Sequence, residues 1–332
     1  MDDVPLLLYA SALATGLALG YVMERGGFCL TRALSNAWLM RDGTVLRAWV
    51  LALLVAMVGV EILEALSLVD VPRPPLRWLS SVVGGLLFGA GMIVAGGGPG
   101  SAWYRVGEGA IGAWVVLLGF AIGATTAWLG ILSPVRVLLQ KPILTTADGD
   151  PPTLASLTGL PPWVVVAALV LVGCAWLLRG PRGAEHGTWR WPASGATVGA
   201  IIVAGWWAST FGERPAGITF AANTGHLLTY PLVGYPSRVT WSMLTPVGVA
   251  VGAFVAARRA DQFGWKLPAP TSLVKIFGGG LLMGAAALVA EGCDINQGLT
   301  NSATLALGSL LTFTSMCAGA SGTLWLLFLR KA

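Results

Sequence analysis

Two cysteines in this chain stand at the same kind of place, behind glycine and ahead of a short apolar run. Cys29 lies in Gly26-Gly27-Phe28-Cys29-Leu30, and Cys293 in Glu291-Gly292-Cys293-Asp294-Ile295-Asn296. Glycine bares backbone N–H groups and thins packing, while apolar surroundings favour the neutral thiol over the thiolate. A neutral S–H donates a weak hydrogen bond and does not repel an anion. A helix starting just after each cysteine adds unpaired N–H groups and partial positive charge. Together these groups make a way-station for a small soft anion, favourable enough to enter and weak enough to leave. Buried cysteines are more often plain small hydrophobes. What separates these two is that their junctions recur.

The recurrence is an internal duplication. Residues 84–98 read GGLLFGAGMIVAGGG and residues 279–293 read GGLLMGAAALVAEGC, matching without gaps at nine of fifteen positions at an offset of 195. In that register Cys293 faces Gly98, and Glu291 faces Gly96. A second echo sets Glu24-Arg25 against Glu213-Arg214 at an offset of 189. An apolar chain with a duplicated half is the pattern of a transporter.

Composition puts the elements in a membrane. Hydrophobic residues make up 55% of the 332 and charged ones only 11%, with a mean hydropathy of +0.75. One soluble core does not need that much apolar surface, whereas stretches of about 20 apolar residues cross hydrocarbon. Nine spans are predicted, at roughly 4–23, 47–69, 78–97, 110–132, 162–179, 194–211, 240–258, 273–291 and 305–329. The start, Met1-Asp2-Asp3, is acidic where a secretory signal is basic, so the first stretch is read as a retained span. Forty-five glycines suit close helix packing in lipid. The expected fold is an all-α polytopic membrane protein, a single membrane domain over 1–332. It divides into a first repeat at 1–133, a long loop and linking helix at 134–193, and a second repeat at 194–332.

Lys and Arg set the orientation. With the N-terminus outside, 14 of the 20 fall on the cytoplasmic side and 6 outside. The N-terminus is therefore expected in the periplasm and the C-terminus in the cytoplasm of a bacterial inner membrane. The unpaired fifth span then turns the second half over, giving inverted-topology repeats about a pseudo-twofold axis, with a site near the midplane. Gly26–Met40, Gly96–Gly109 and Gly292–Leu305 are too apolar and glycine-broken for ordinary loops, and Ala216–Leu232 is a fourth such segment. Each reads as a re-entrant or broken helix, tolerated at membrane depth where protein or water satisfies its backbone. The proline-rich stretch 133–161 is expected as a surface loop with an amphipathic turn at Val135–Leu139.

Other polar residues divide between path and structure. Glu24-Arg25 serves equally as an ion pair or as path lining. Arg32, Arg105 and Glu108 lie beside re-entrant segments and Tyr104 offers a hydroxyl; arginine there would steer anions or simply mark the inner side. Glu61 and Glu64 share a helical face toward the outer end of the second span and are read as interfacial. Cys174 and Cys317 are read as packing, and Glu291 has no clear role. His186 and His226 are isolated, no CxxC or zinc spacing occurs, and no P-loop is present. No metal or cofactor is therefore expected. An alternative reading makes the protein a membrane thiol-redox enzyme passing electrons through Cys29 and Cys293.

The stretches GGFCLTRAL at Gly26–Leu34, AGGGPGSAWYRVGEG at Ala95–Gly109, AGITFAAN at Ala216–Asn223 and AEGCDINQGL at Ala290–Leu299 resemble the YeeE/YedE family of bacterial inner-membrane proteins, in particular its thiosulfate-transporting branch. The resemblance implies a pseudo-symmetric bundle with a central cysteine-lined path, along which thiosulfate moves between S–H donors. It carries path cysteines onto Cys29 and Cys293; a third family cysteine falls where this chain has Gly98. The candidate path residues are then Cys29, Cys293, Gly98, Gly27, Gly97, Gly292, Arg25, Arg32, Arg105, Tyr104, Thr219, Asn223 and Asn296. The resemblance further implies a TusA-like cytosolic sulfur-carrier protein as a partner at the inner face.

Overall fold

The computed structural model describes residues 6–179, 189–212, 215–233 and 240–330. Its helices are α1 (Leu6–Gly26), α2 (Leu30–Ser35), α3 (Thr44–Ala65), α4 (Trp78–Ala95), α5 (Pro99–Gly107), α6 (Ile111–Trp128) and α7 (Ser133–Gln140). They continue as α8 (Leu154–Thr158), α9 (Pro162–Arg179), α10 (Trp191–Ala208), α11 (Ala221–Val233), α12 (Trp241–Arg259), α13 (Pro270–Val289) and α14 (Leu307–Leu324). π-helical turns at Asn36–Met40, Asn296–Asn301 and Trp325–Leu329 complete the elements discussed below.

Each of the nine expected spans coincides with a helix among the described residues. Among the described residues, eight helical segments are long and apolar enough to cross a membrane. The ninth, α10, is less apolar because Pro192 and Gly195, Gly199 and Gly205 dilute it, yet it packs against α1 and α3. The second span starts three residues earlier than expected, at Thr44, whose N–H and hydroxyl donate to the Asp42 carboxylate at 2.9 and 2.6 Å. The expected turn at 135–139 lies within α7, and the 133–161 segment holds a second short helix, α8.

Glycines let the long helices touch backbone to backbone. A Cβ on Gly84 of α4 would lie 2.6 Å from the Ala290 nitrogen, and one on Gly279 of α13 would lie 2.5 Å from the Ala95 nitrogen. These are the same contact read from either copy of the duplicated passage. The relation repeats further out, where a Cβ added to Gly89 would run into the Met316 oxygen of α14 and one added to Gly284 into the Phe120 oxygen of α6. In lipid such close approach supplies the dispersion contact that drives helix association. Following the contacts along each pair, α4 runs parallel to α14, α6 parallel to α13, α1 parallel to α12 and α3 parallel to α10. Helices α4 and α13 run antiparallel at the centre.

Candidate functional site

Three long helices break in one way, and each break presents a candidate residue. After α1, Gly27 takes a left-handed φ of 58° and the N–H of Phe28 donates to the Met23 carbonyl at 2.9 Å. After α4, Gly96 has φ 77° and the N–H of Gly97 donates to Met92 at 3.0 Å. After α13, Glu291 has φ 57° and the N–H of Gly292 donates to Ala287 at 2.9 Å. This is the hydrogen-bonded C-cap that lets a chain leave one helix and enter another at an angle. Two residues past each left-handed position stand Cys29, Gly98 and Cys293, each leading into a short helical segment. Gly217, at φ 55°, sets Thr219 in the same relation ahead of α11.

Cys29 lines a cavity of 590 Å³ with Gly97, Tyr104, Arg105, Arg32, Glu108 and Lys266. Arg105 is braced by donating from Nη1 to the Gly96 carbonyl at 3.2 Å. Lys266 comes from beyond α12, held where its N–H donates to Gly109 and its carbonyl accepts from Ile111, both at 3.0 Å. Burial pushes the Glu108 carboxyl above the usual carboxylate range, against the opposing pull of Lys266, Arg105 and Arg32. Three cations around one acid leave this chamber net positive.

A second cavity of 240 Å³ opens beyond the other end of the breaks, lined by Thr219, Arg136, Gln140, Glu291 and Gly292 among others. Arg136 donates to the Ala127 carbonyl at 2.9 Å and to the Gln140 side chain at 3.1 Å. Glu291 pairs with Arg77 at 3.1 Å. That pairing supplies the role its sequence context does not.

Gly97 borders the first cavity and Gly292 the second, so Gly98, Cys293 and Asp294 stand between them. The Cys293 side chain is fully buried, and backbone N–H groups of Asn296, Phe220 and Ile295 face its sulfur. A Cβ added to Gly100 would touch Ile295 and Phe220 at 3.0 and 3.4 Å, so the starts of α5, α11 and the 294–301 turn meet at this septum. Asp294 is 2% exposed and its carboxylate oxygens fill the space over Gly98.

The remaining candidates sort by position. Asn223 donates from Nδ2 to the Thr219 carbonyl at 2.9 Å and so shapes the turn, while Asn296 accepts from Asn301 at 3.3 Å. Arg25 lines neither cavity, although its carbonyl accepts from Trp189. Gly27 acts through its backbone conformation. Glu213, Arg214 and His186 lie outside the described residues. Glu64 pairs with Arg73 at 2.8 Å. Cys174 is exposed on α9 and Cys317 half-buried on α14, and all four cysteines are free. His226 packs against Trp128, and among the described residues no cluster suited to a metal occurs. Asp294 and Lys266 are the residues that sequence reasoning passed over. A carboxylate inside an apolar re-entrant run was the available signal for Asp294; Lys266 carried none, being one cation among many in a loop.

Long apolar helices enclosing broken segments that meet between two chambers define a multi-pass membrane protein of the transporter class. The chain belongs to the family described as sulphur transport, whose profile matches residues 25–321. It is 29% identical over 332 residues to the thiosulfate transporter TsuA of Spirochaeta thermophila, covering 96% of this chain and 99% of that protein. It is 27% identical over 339 residues to the thiosulfate transporter TsuA of Escherichia coli K12, covering 96% of this chain and 95% of that one.

Proposed function

We propose that this protein takes up thiosulfate across the bacterial inner membrane, with the N-terminus periplasmic and the C-terminus cytoplasmic. The 240 Å³ chamber with Arg136 then faces the periplasm and the 590 Å³ chamber with Arg32, Arg105 and Lys266 faces the cytoplasm. The observation that carries the reading is the thin septum of Gly98, Cys293 and Asp294 between two cation-bearing chambers. A dianion crossing it leaves water briefly, and fixed N–H and S–H donors replace part of its hydration. Cys293 offers a donor within the septum, Cys29 one at the inner chamber wall, and Thr219 a hydroxyl at the outer one. The family name and the two full-length relatives support sulfur-anion cargo, and thiosulfate in particular.

The halves are inverted copies about a pseudo-twofold axis in the membrane plane, from 1–133 and from 194–332, joined by the loop and helix of 134–193. The reciprocal contacts of Gly84 with Ala290 and Gly279 with Ala95 support this, as does the opposite direction of α4 and α13. A TusA-like sulfur carrier at the cytoplasmic face would meet the basic rim of Arg32 and Lys266 and draw off the emerging cargo.

Uptake of ³⁵S-thiosulfate by cells expressing Cys29→Ala or Cys293→Ala tests the path. Each is expected to lower the initial rate by about tenfold, the worth of one hydrogen-bonding contact of roughly 1.4 kcal/mol. Undiminished uptake in both variants overturns the thiol path.

A further inference from the structure

The septum holds an acid whose place there is set by a glycine. Asp294 is 2% exposed, its Oδ1 has no hydrogen-bond partner, and its carboxylate oxygens lie 2.6 and 2.7 Å from where a Cβ on Gly98 would stand. In the duplicated passage Gly98 is the counterpart of Cys293. The side chain absent from the first copy is thus replaced in space by the acid that follows Cys293 in the second.

An ionised carboxylate at that point opposes any anion that crosses. Two like charges a few ångströms apart, away from water, do not both persist; one takes a proton. The titratable groups facing Asp294 are the thiols of Cys293 beside it and Cys317 on α14. Helix α5 brings Gly98 against it, and α11 brings Phe220 to the same septum. Arg32, Arg105, Lys266 and Glu108 line the chamber on the far side of Gly97.

We propose that Asp294 is the anion-contacting side chain at the Gly98 position, and that it works protonated: its carboxyl O–H donates to the sulfur anion passing Cys293. The proton stays on the carboxyl throughout; no covalent bond forms or breaks. A neutral carboxyl is a donor and an ionised one a barrier, so residue 294 makes transport sensitive to pH on the side that reaches it. This rests on the thiosulfate path proposed above.

The test is initial-rate ³⁵S-thiosulfate uptake into proteoliposomes of the full-length protein, with internal pH fixed and external pH varied. Wild-type uptake is expected to rise as external pH falls, by at most about tenfold per pH unit, the limit for one titrating group. Asp294→Asn, permanently neutral and still a donor, is expected to keep the acid-side rate within about threefold and to lose the pH dependence. Glu108→Gln is expected to keep the acid stimulation. Gly98→Cys is expected to lose uptake because its Cβ meets the carboxyl, and Gly98→Cys with Asp294→Ser to recover it. The proposal is overturned if Asp294→Asn retains the wild-type pH profile, or if it is inactive while eluting as a single folded species. It is equally overturned if Glu108→Gln abolishes the acid response. Full uptake in both Cys29→Ala and Cys293→Ala instead sinks the path itself, a result separable from every outcome at residue 294.

Discussion

Glu291 holds a left-handed backbone conformation, φ 57°, while its carboxylate pairs with Arg77 at 3.1 Å. Its counterpart in the first copy is Gly96, left-handed at φ 77° with no side chain to strain. A non-glycine residue there costs about 1 kcal/mol or a little more. The part-exposed ion pair, whose N–H is not aimed squarely at the oxygen, returns less than about 1 kcal/mol. Glu291→Gly is therefore expected to unfold within about 1 kcal/mol of wild type. Glu291→Ala keeps the strain and loses the pair, so it should melt below both. Thermal unfolding in detergent gives the order; Glu291→Ala at or above Glu291→Gly contradicts it.

The reciprocal glycine contacts predict matched damage. Gly89→Ala and Gly284→Ala each drive a methyl into a facing carbonyl, Met316 in one case and Phe120 in the other. Overpacking of this kind costs roughly 1–3 kcal/mol or more. Both variants should lose stability to a similar degree, measured as the fall in melting temperature. A severe loss in one and none in the other would show that the two halves do not bear equivalent contacts.

Lys266 should raise the rate of anion capture in the larger chamber. Lys266→Ala is expected to lower thiosulfate flux severalfold at low ionic strength, and the deficit should shrink in about 0.5 M salt, where screening acts within a few ångströms. Lys266→Arg should retain the rate. A deficit independent of salt points to a packing role instead.

Glu108 carries a pH signature of its own. Its carboxyl is raised in the folded protein by burial, despite Lys266, Arg105 and Arg32. A raised carboxyl stabilises the fold fully below its unfolded value, near about 4.3, and loses that contribution as pH climbs through the folded value. Glu108→Gln is thus expected to match wild-type stability in acid and to exceed it at neutral and alkaline pH. Melting curves across that range decide it, and a variant less stable than wild type at neutral pH refutes it.

Thiol accessibility should separate the cysteines. Cys29 lines an open chamber, whereas the Cys293 side chain has no exposed surface. A charged methanethiosulfonate reagent applied from the face on which the 590 Å³ chamber opens should label Cys29 and block uptake, leaving Cys293 unmodified. Block that persists in Cys29→Ala and vanishes in Cys293→Ala reverses the assignment.

Sequence alone carried the membrane class, because the cost of placing backbone and charge in hydrocarbon leaves few compositions and lengths open. It also carried the broken segments that begin at Gly26, Gly96 and Gly292, since left-handed caps such as Gly27 and Gly96 need backbone freedom that glycine announces; the left-handed Glu291 at the third break it did not announce. The duplication marked Gly98 against Cys293 before any coordinates. What tertiary structure alone decided is which distant side chains share a space. The carboxylate of Asp294 over Gly98, the Arg77–Glu291 pair and the shared cavity of Lys266 and Arg105 all join residues far apart in the chain. Local propensity and periodicity act over a few residues; the packing of α4 against α13 brings together the residues that follow them, and the backbone bonds of Lys266 with Gly109 and Ile111 hold it at the chamber of Arg105.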